Sequence, residues 1–341
     1  MPTPLAAILK EKIRTSGPLT VEEFMEACLY HPHHGYYTQG RNFLPLPTDA
    51  NQPYPRDFTT APHITPLFGA ALAIWVHRHA PTQTLTLMEC GPGSGQLMHD
   101  ILSYLQHNHP QTYTNAQPVL IESSPTLTTL QKTTLAPFPQ CHWATTPTAT
   151  GHPIVLIANE LLDAFPHSQI IEHQGRLQPR TISLNNTGDF TFTDTLNTQT
   201  RNTKTHISEH SPQMRTWLQT LPPTLHAALF LDYGTSTSGP TGDTFQALHQ
   251  HTKVSVFHLP GDSDLTMHVN FNHVTTAMAE SHPHLTAAPL EDLAPFLLRH
   301  GLATAALQSG TPTPATESSL HRLLHPTQMG TLFKAQAFHN S

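Results

Sequence analysis

Apolar residues follow two rhythms along this chain. In some stretches they run almost unbroken, as in Leu85-Thr86-Leu87-Met88-Glu89, Pro118-Val119-Leu120-Ile121-Glu122, Pro153-Ile154-Val155-Leu156-Ile157-Ala158 and Ala227-Ala228-Leu229-Phe230-Leu231-Asp232. Such runs predict strands of a parallel sheet covered on both faces. Between them the spacing changes to three and four. Leu97, Met98, Ile101, Leu102 and Leu105 share one face of a helix predicted over 96–106, and a second helix is predicted over 124–135. Cys141-His142-Trp143 reads as a short third strand. Ahead of the first strand, 67–79 and 5–14 have helical spacing, and 19–30 predicts a helix with Thr20 as cap and Glu23 three residues on.

Further along, 168–171 and 181–184 predict a strand pair, followed by a Thr/Asn-rich surface stretch over 185–204. Helices are predicted over 212–221, 274–279 and 290–300, with a last strand over 332–338. Residues 31–66, rich in Pro, Gly and aromatics, read as a packed irregular loop. Repeated strand-loop-helix order predicts an α/β fold built on a doubly wound sheet.

Composition narrows this only a little. A length of 341 residues suits one α/β core with a smaller accessory part. Charged residues are 11% and prolines number 32, which indicates polar, rigid loops rather than a charged disordered chain. Net charge is -7 and no run of Lys or Arg forms a basic patch, so nucleic acid is not an expected partner. Cys28, Cys90 and Cys141 are too widely spaced for a disulfide framework or a zinc pattern. The 27 histidines include no H-E-x-x-H and no quartet with ligand spacing, so no metal is expected; His31, His33 and His34 read as solvated turn residues. The first twenty residues lack a signal-peptide pattern and no apolar window would span a bilayer, which gives a cytoplasmic expectation with no membrane span.

Chemistry concentrates in Glu89-Cys90-Gly91-Pro92-Gly93-Ser94-Gly95, between a predicted strand and a predicted helix. A glycine loop there lets the backbone approach a ligand and donate N–H groups. The third glycine of a dinucleotide fingerprint is missing, because Gln96 follows Gly95, and there is no P-loop string. Glu89 would repel a pyrophosphate but suits the ammonium end of S-adenosylmethionine. Glu122, closing the second strand, can accept hydrogen bonds from both ribose hydroxyls. The bland alternative is that these glycines only shape a turn.

A second constellation is Asn159-Glu160-Leu161-Leu162-Asp163-Ala164-Phe165-Pro166, at the end of the strongest buried strand. Were a helical turn to begin there, Glu160 and Asp163 would share a face and could grip a guanidinium. The alternative is a capped turn with solvated acids.

Several blocks together resemble the MidA family of class I S-adenosylmethionine-dependent methyltransferases. They are Phe24-Met25 with Leu29-Tyr30-His31-Pro32 and Gly35-Tyr36-Tyr37, then Asp57-Phe58-Thr59-Thr60-Ala61-Pro62, Phe68-Gly69, the glycine loop, Ile121-Glu122-Ser123-Ser124-Pro125 and the Asn159 block. Later ones are Asp232-Tyr233-Gly234, Pro260-Gly261-Asp262-Ser263-Asp264-Leu265-Thr266-Met267-His268-Val269 and Met329-Gly330-Thr331-Leu332-Phe333-Lys334. The resemblance implies a Rossmann-like methyltransferase core with an N-terminal helical segment and a late helical insertion. The segments are 1–66 (helical and loop), 67–234 (cofactor-binding core), 235–325 (mostly helical substrate region) and 326–341 (final core strand). It implies Glu89, Gly91, Gly93, Gly95, Glu122 and Asn159 at the cofactor, and Glu160, Asp163, Asp264 and His268 as catalytic candidates. Asp232 is also placed near the substrate.

The implied activity is protein arginine N-methylation, since mitochondrial members are complex I assembly factors of that kind. A protein substrate, such as a respiratory-chain subunit, and a homodimer follow as expected partners. A non-catalytic assembly module and a small-molecule methyltransferase are the alternatives. Arg56, His63, Gln246 and Ser263 depart from the family pattern.

Overall fold

The computed structural model describes residues 2–39, 60–173, 176–193, 206–239, 241–250, 252–308, 310 and 313–340. The chain forms two compact units, each assembled from three stretches: 1–58, 163–216 and 236–273 in the first, 59–162, 217–235 and 274–341 in the second. These seams fall elsewhere than the sequence segments 1–66, 67–234, 235–325 and 326–341. Each unit takes chain from before and after the other's insertions, which a linear reading of the pattern does not reveal.

The second unit is the doubly wound sheet. Along its main path the strands are β1 (Leu85–Cys90), β2 (Ala116–Ile121), β3 (His142–Ala144), β4 (Ile154–Asn159), β5 (Leu225–Thr235), β6 (Leu285–Ala287) and β7 (Phe333–Asn340). Their order across the sheet is β6-β7-β5-β4-β1-β2-β3. β5, β4, β1, β2 and β3 are mutually parallel, while β7 runs antiparallel to both β5 and β6. Every residue of β1 is buried, as its unbroken apolar run requires, Glu89 included. Helices α1 (Gln96–Asn108) and α2 (Pro125–Thr134) follow β1 and β2, and the helix Pro66–His79 buries Phe68, Leu72 and Trp75 in the same core. α2 starts where Ser124 caps the Leu127 N–H and Pro125 takes the first helical position, a place where its missing N–H costs nothing.

The first unit carries the helices Pro4–Ser16 and Val21–Tyr30, the second opened by the expected reciprocal Thr20–Glu23 cap. Their apolar faces bury Leu5, Leu9, Phe24, Met25 and Leu29 with Ile182, Leu265 and Met267. Three small antiparallel sheets complete it. Ser168–His173 and Thr181–Leu184 do not pair with each other as expected. The first lies between His206–His210 and Arg176–Pro179, the second between Leu19–Thr20 and Phe190–Phe192. Residues 236–273, expected to be mostly helical, supply strands such as Gln246–His249 and Asp264–Thr266 to this unit.

Candidate active site

Three strand ends of the second unit finish in register. Cys90 lies opposite Ile121 on one side and Ala158 on the other, so Gly91, Glu122 and Asn159 come next in line on three neighbouring strands. They emerge at the carboxyl ends, where strand order reverses between β1 and β4, the place at which doubly wound sheets hold ligands. Gly91, Gly93 and Gly95 have φ of 69°, 53° and 81°, a left-handed backbone that residues with a Cβ adopt at a cost. A Cβ on Gly91 would stand 2.9 Å from the Leu161 side chain, whereas among the described residues one on Gly93 would meet nothing within 4 Å. Gly93 therefore faces open space, as a loop cradling a ligand must.

Glu89 is 3% exposed, and its Oε2 has no hydrogen-bond partner among the described residues. Burial pushes its carboxyl up to about 8, with the Asp100 charge acting the same way and a hydrogen bond from the Met98 backbone opposing. A buried carboxylate lacking a counter-charge is costly, and an ammonium group would relieve it. Glu122 is held at both oxygens: Oε1 accepts from the Ser124 N–H at 2.7 Å and Oε2 from Gln131 Nε2 at 3.0 Å. Each oxygen keeps a lone pair for a hydroxyl donor. The orphaned acid, the open glycine loop and the braced second acid fit a cationic amino-acid nucleoside such as S-adenosylmethionine.

Asn159 ends β4 and Glu160 follows it. Glu160 has φ of 52°, unusual for a residue with a side chain. Its Oε1 accepts from the Ala61 N–H at 3.0 Å and from Asn159 Nδ2 at 3.2 Å. The helical turn expected over Glu160 and Asp163 does not begin at Glu160: the 3-10 turn spans Leu162–Ala164, after the left-handed residue. The shared helical face is thus absent.

Asp163, Asp264 and His268 belong to the first unit. Both acids are buried, and the Tyr37 hydroxyl donates to Asp264 Oδ1 at 3.2 Å. After burial itself, the charges of Asp163 and Asp264 are what raise the Tyr30 and Tyr37 phenols, which sets both acids beside that stacked tyrosine pair. The His268 N–H donates to Thr244 Oγ1 at 3.0 Å, and burial lowers the affinity of its ring for a proton. The candidates so divide into Glu89, Gly91, Gly93, Gly95, Glu122, Asn159 and Glu160 in one unit and Asp163, Asp264 and His268 in the other. Arg56 and the block Asp57-Phe58-Thr59 lie outside the described residues.

Two contacts at the glycine loop escape a motif reading. His63 Nε2 is 2.8 Å from Ser94 Oγ, and its Nδ1 is 2.7 Å from Thr60 Oγ1. Gln131, fully buried, reaches the Gly93 carbonyl at 2.9 Å. Its signal was present: Leu127, Gln131 and Leu135 repeat at four-residue intervals along the buried stripe of a helix, with an amide in the middle.

A sheet of this order with an antiparallel β7, and a glycine loop after β1 flanked by two acids, defines the class I methyltransferase architecture. The family described as "Putative S-adenosyl-L-methionine-dependent methyltransferase" matches residues 68–287, and the chain belongs to it. Its cofactor is S-adenosyl-L-methionine, and it is a methyltransferase. Among curated relatives, the mitochondrial protein arginine methyltransferase NDUFAF7 homolog of Caenorhabditis elegans is 29% identical over 81% of this chain and 72% of its own length. The human mitochondrial protein arginine methyltransferase NDUFAF7 is 28% identical over 80% of this chain and 68% of its own. A solved Burkholderia thailandensis structure with S-adenosyl-homocysteine bound shares the fold with a TM-score of 0.84 and 24% identity, covering 100% of this chain and 95% of that one.

These relatives overturn the cytoplasmic expectation, because their names place them in mitochondria. Targeting signals are addresses read by receptors, not parts of a folded core, so composition could not supply the compartment. No helix among the described residues is long and apolar enough to cross a membrane.

Proposed function

We propose that this methyltransferase acts on arginine side chains of a protein, with a respiratory-chain subunit as the substrate class. The observation that carries the reading is Glu160, a carboxylate held by two hydrogen bonds on a left-handed residue at the mouth of β4, beside the strand that opens the glycine loop. The names of the curated relatives favour the same acceptor. When bound, the cofactor supplies an activated methyl group on a sulfonium. Glu89 takes its ammonium, Glu122 its ribose hydroxyls, and the N–H groups of Gly93 and Ser94 its amino-acid portion, those of Gly91 and Gly95 being given to the Ile121 and Pro92 carbonyls. Asn159 braces Glu160. Glu160 binds the guanidinium, draws its positive charge away from the attacking nitrogen and accepts the proton released there.

Glu160→Gln is expected to lower turnover about tenfold or more, with S-adenosyl-homocysteine binding unchanged. The check is transfer of labelled methyl to mitochondrial protein, followed by acid hydrolysis and mass spectrometry of the amino acids. Label in methylarginine supports the reading; label in any other amino acid, or full activity of the variant, overturns it.

Glu89 also sets a pH dependence. With its carboxyl at about 8 in the free protein, it must ionise to receive an ammonium. Affinity for S-adenosyl-homocysteine should therefore rise by up to about tenfold per pH unit between roughly pH 6 and 8, with a proton released on binding. In the free protein the sign is opposite: a carboxyl raised from 4.5 to about 8 contributes stability that is lost as pH rises across that interval. Glu89→Gln should flatten the binding profile, and a flat wild-type profile would remove Glu89 as the ammonium acceptor.

A further inference from the structure

The fully buried side chain of Gln131 uses every hydrogen-bonding group it has. Nε2 donates to the Gly93 carbonyl at 2.9 Å and to Glu122 Oε2 at 3.0 Å, and Oε1 accepts from Trp143 Nε1 at 3.0 Å. The indole N–H can only donate, so the amide oxygen must face it, and both N–H groups are thereby turned toward Gly93 and Glu122. No other side chain of this length offers two donors and one acceptor in that arrangement: a glutamate would set a second carboxylate against Glu122, and a methionine would offer neither donor.

From these contacts we infer that Gln131 is a positioning residue for cofactor recognition, holding Glu122 in the orientation that receives the ribose and turning the Gly93 carbonyl away from the ligand. This rests on the assignment of Glu122 to the ribose. Two effects follow. Glu122 Oε1 is fixed by the Ser124 N–H, so the contact from Gln131 at Oε2 removes the remaining freedom of the carboxylate. The Gly93 carbonyl, once taken by an amide N–H, is fixed in the loop, whose Gly91 and Gly95 N–H groups are likewise committed to the Ile121 and Pro92 carbonyls; among the described residues a Cβ on Gly93 would meet nothing within 4 Å. Trp143 acts through Gln131, with Lys132 Nζ 5.5 Å from the centre of its ring.

The test uses the full chain, titrated calorimetrically with S-adenosyl-homocysteine and with its 2′-deoxyribosyl analogue. Wild type should prefer the natural ligand by about tenfold, one charged hydrogen bond's worth. Gln131→Met should bind the natural ligand about tenfold more weakly and lose most of the preference, because a freed Glu122 no longer meets the hydroxyl. Glu122→Gln added to Gln131→Met should then cost little more, a coupling that a merely structural glutamine would not produce. Trp143→Phe keeps an aromatic ring and the fold's volume but frees the amide to flip, so it should erode the preference in the same direction even if Gln131→Met folds poorly. Wild-type preference retained in both variants overturns the role of Gln131. No preference in the wild type overturns it together with the Glu122 assignment, and methylarginine formation would still stand as a separate result.

Discussion

Gly93→Val is expected to lower affinity for S-adenosyl-homocysteine at least a hundredfold while leaving the protein folded. The residue has φ of 53°, where a β-branched side chain is poorly accommodated. Yet among the described residues a Cβ there meets no atom within 4 Å, so the substitution does not push the core apart. What it fills is the open side of the loop, the side on which the backbone donors must approach a ligand. Calorimetric titration reads the loss and thermal unfolding reads the intact fold, with a fall in melting temperature of a few degrees for about 1–2 kcal/mol of backbone strain. Gly91→Val offers the contrast. Its Cβ would press on Leu161 at 2.9 Å, so it should lose stability as well as binding. Near-normal binding by Gly93→Val would remove the loop from the cofactor site.

The second large effect is on stability. Asp232 is fully buried within β5, with Oδ2 accepting the Leu162 N–H at 2.8 Å and Oδ1 the Tyr233 N–H at 2.9 Å. Placed near the substrate by resemblance, it serves in the structure as a clip between β5 and the chain that leaves β4 past Glu160. Asp232→Ala strips one buried and one part-buried backbone donor of an acceptor, at about 1–3 kcal/mol for the buried one and less for the other, so unfolding should become easier by about 2–3 kcal/mol. Denaturant melts check this. Asp232→Asn, which keeps one acceptor oxygen, should recover part of the loss. An alanine variant as stable as wild type would mean that Leu162 and Tyr233 find other partners.

Legibility in the sequence followed the strength of local signals. Unbroken apolar runs marked β1, β2, β4 and β5, and the glycine loop between a strand and a helix placed the cofactor end of the sheet. Glu89 and Glu122 could be singled out because acids at strand ends are costly unless they meet a ligand. Gln131 was overlooked because the amide on its buried helix stripe marks burial but not a partner; its three partners, Gly93, Glu122 and Trp143, disclose its part. The pairing of 168–173 and 181–184 was misread for a related reason. Adjacent strands pair by default, and each does pair with the next strand, but the intervening Arg176–Pro179 carries no apolar run that marks it, and the second partner of each lies far along the chain. The turn at Glu160 was read as helical since nothing in Asn159-Glu160-Leu161-Leu162 forecasts a left-handed backbone on a glutamate.

The place of β7 has a consequence for how the chain acquires its structure. Latest in chain order of the seven strands, it lies between β5 and β6 and runs against both. Until it arrives, β5 presents an unpaired apolar edge, Ala228 to Leu231, to any other strand in reach. Contacts this distant in sequence are slow to form. A chain that lacks β7 is therefore a chain with an open sheet edge, the form in which pairing with a foreign strand is least opposed.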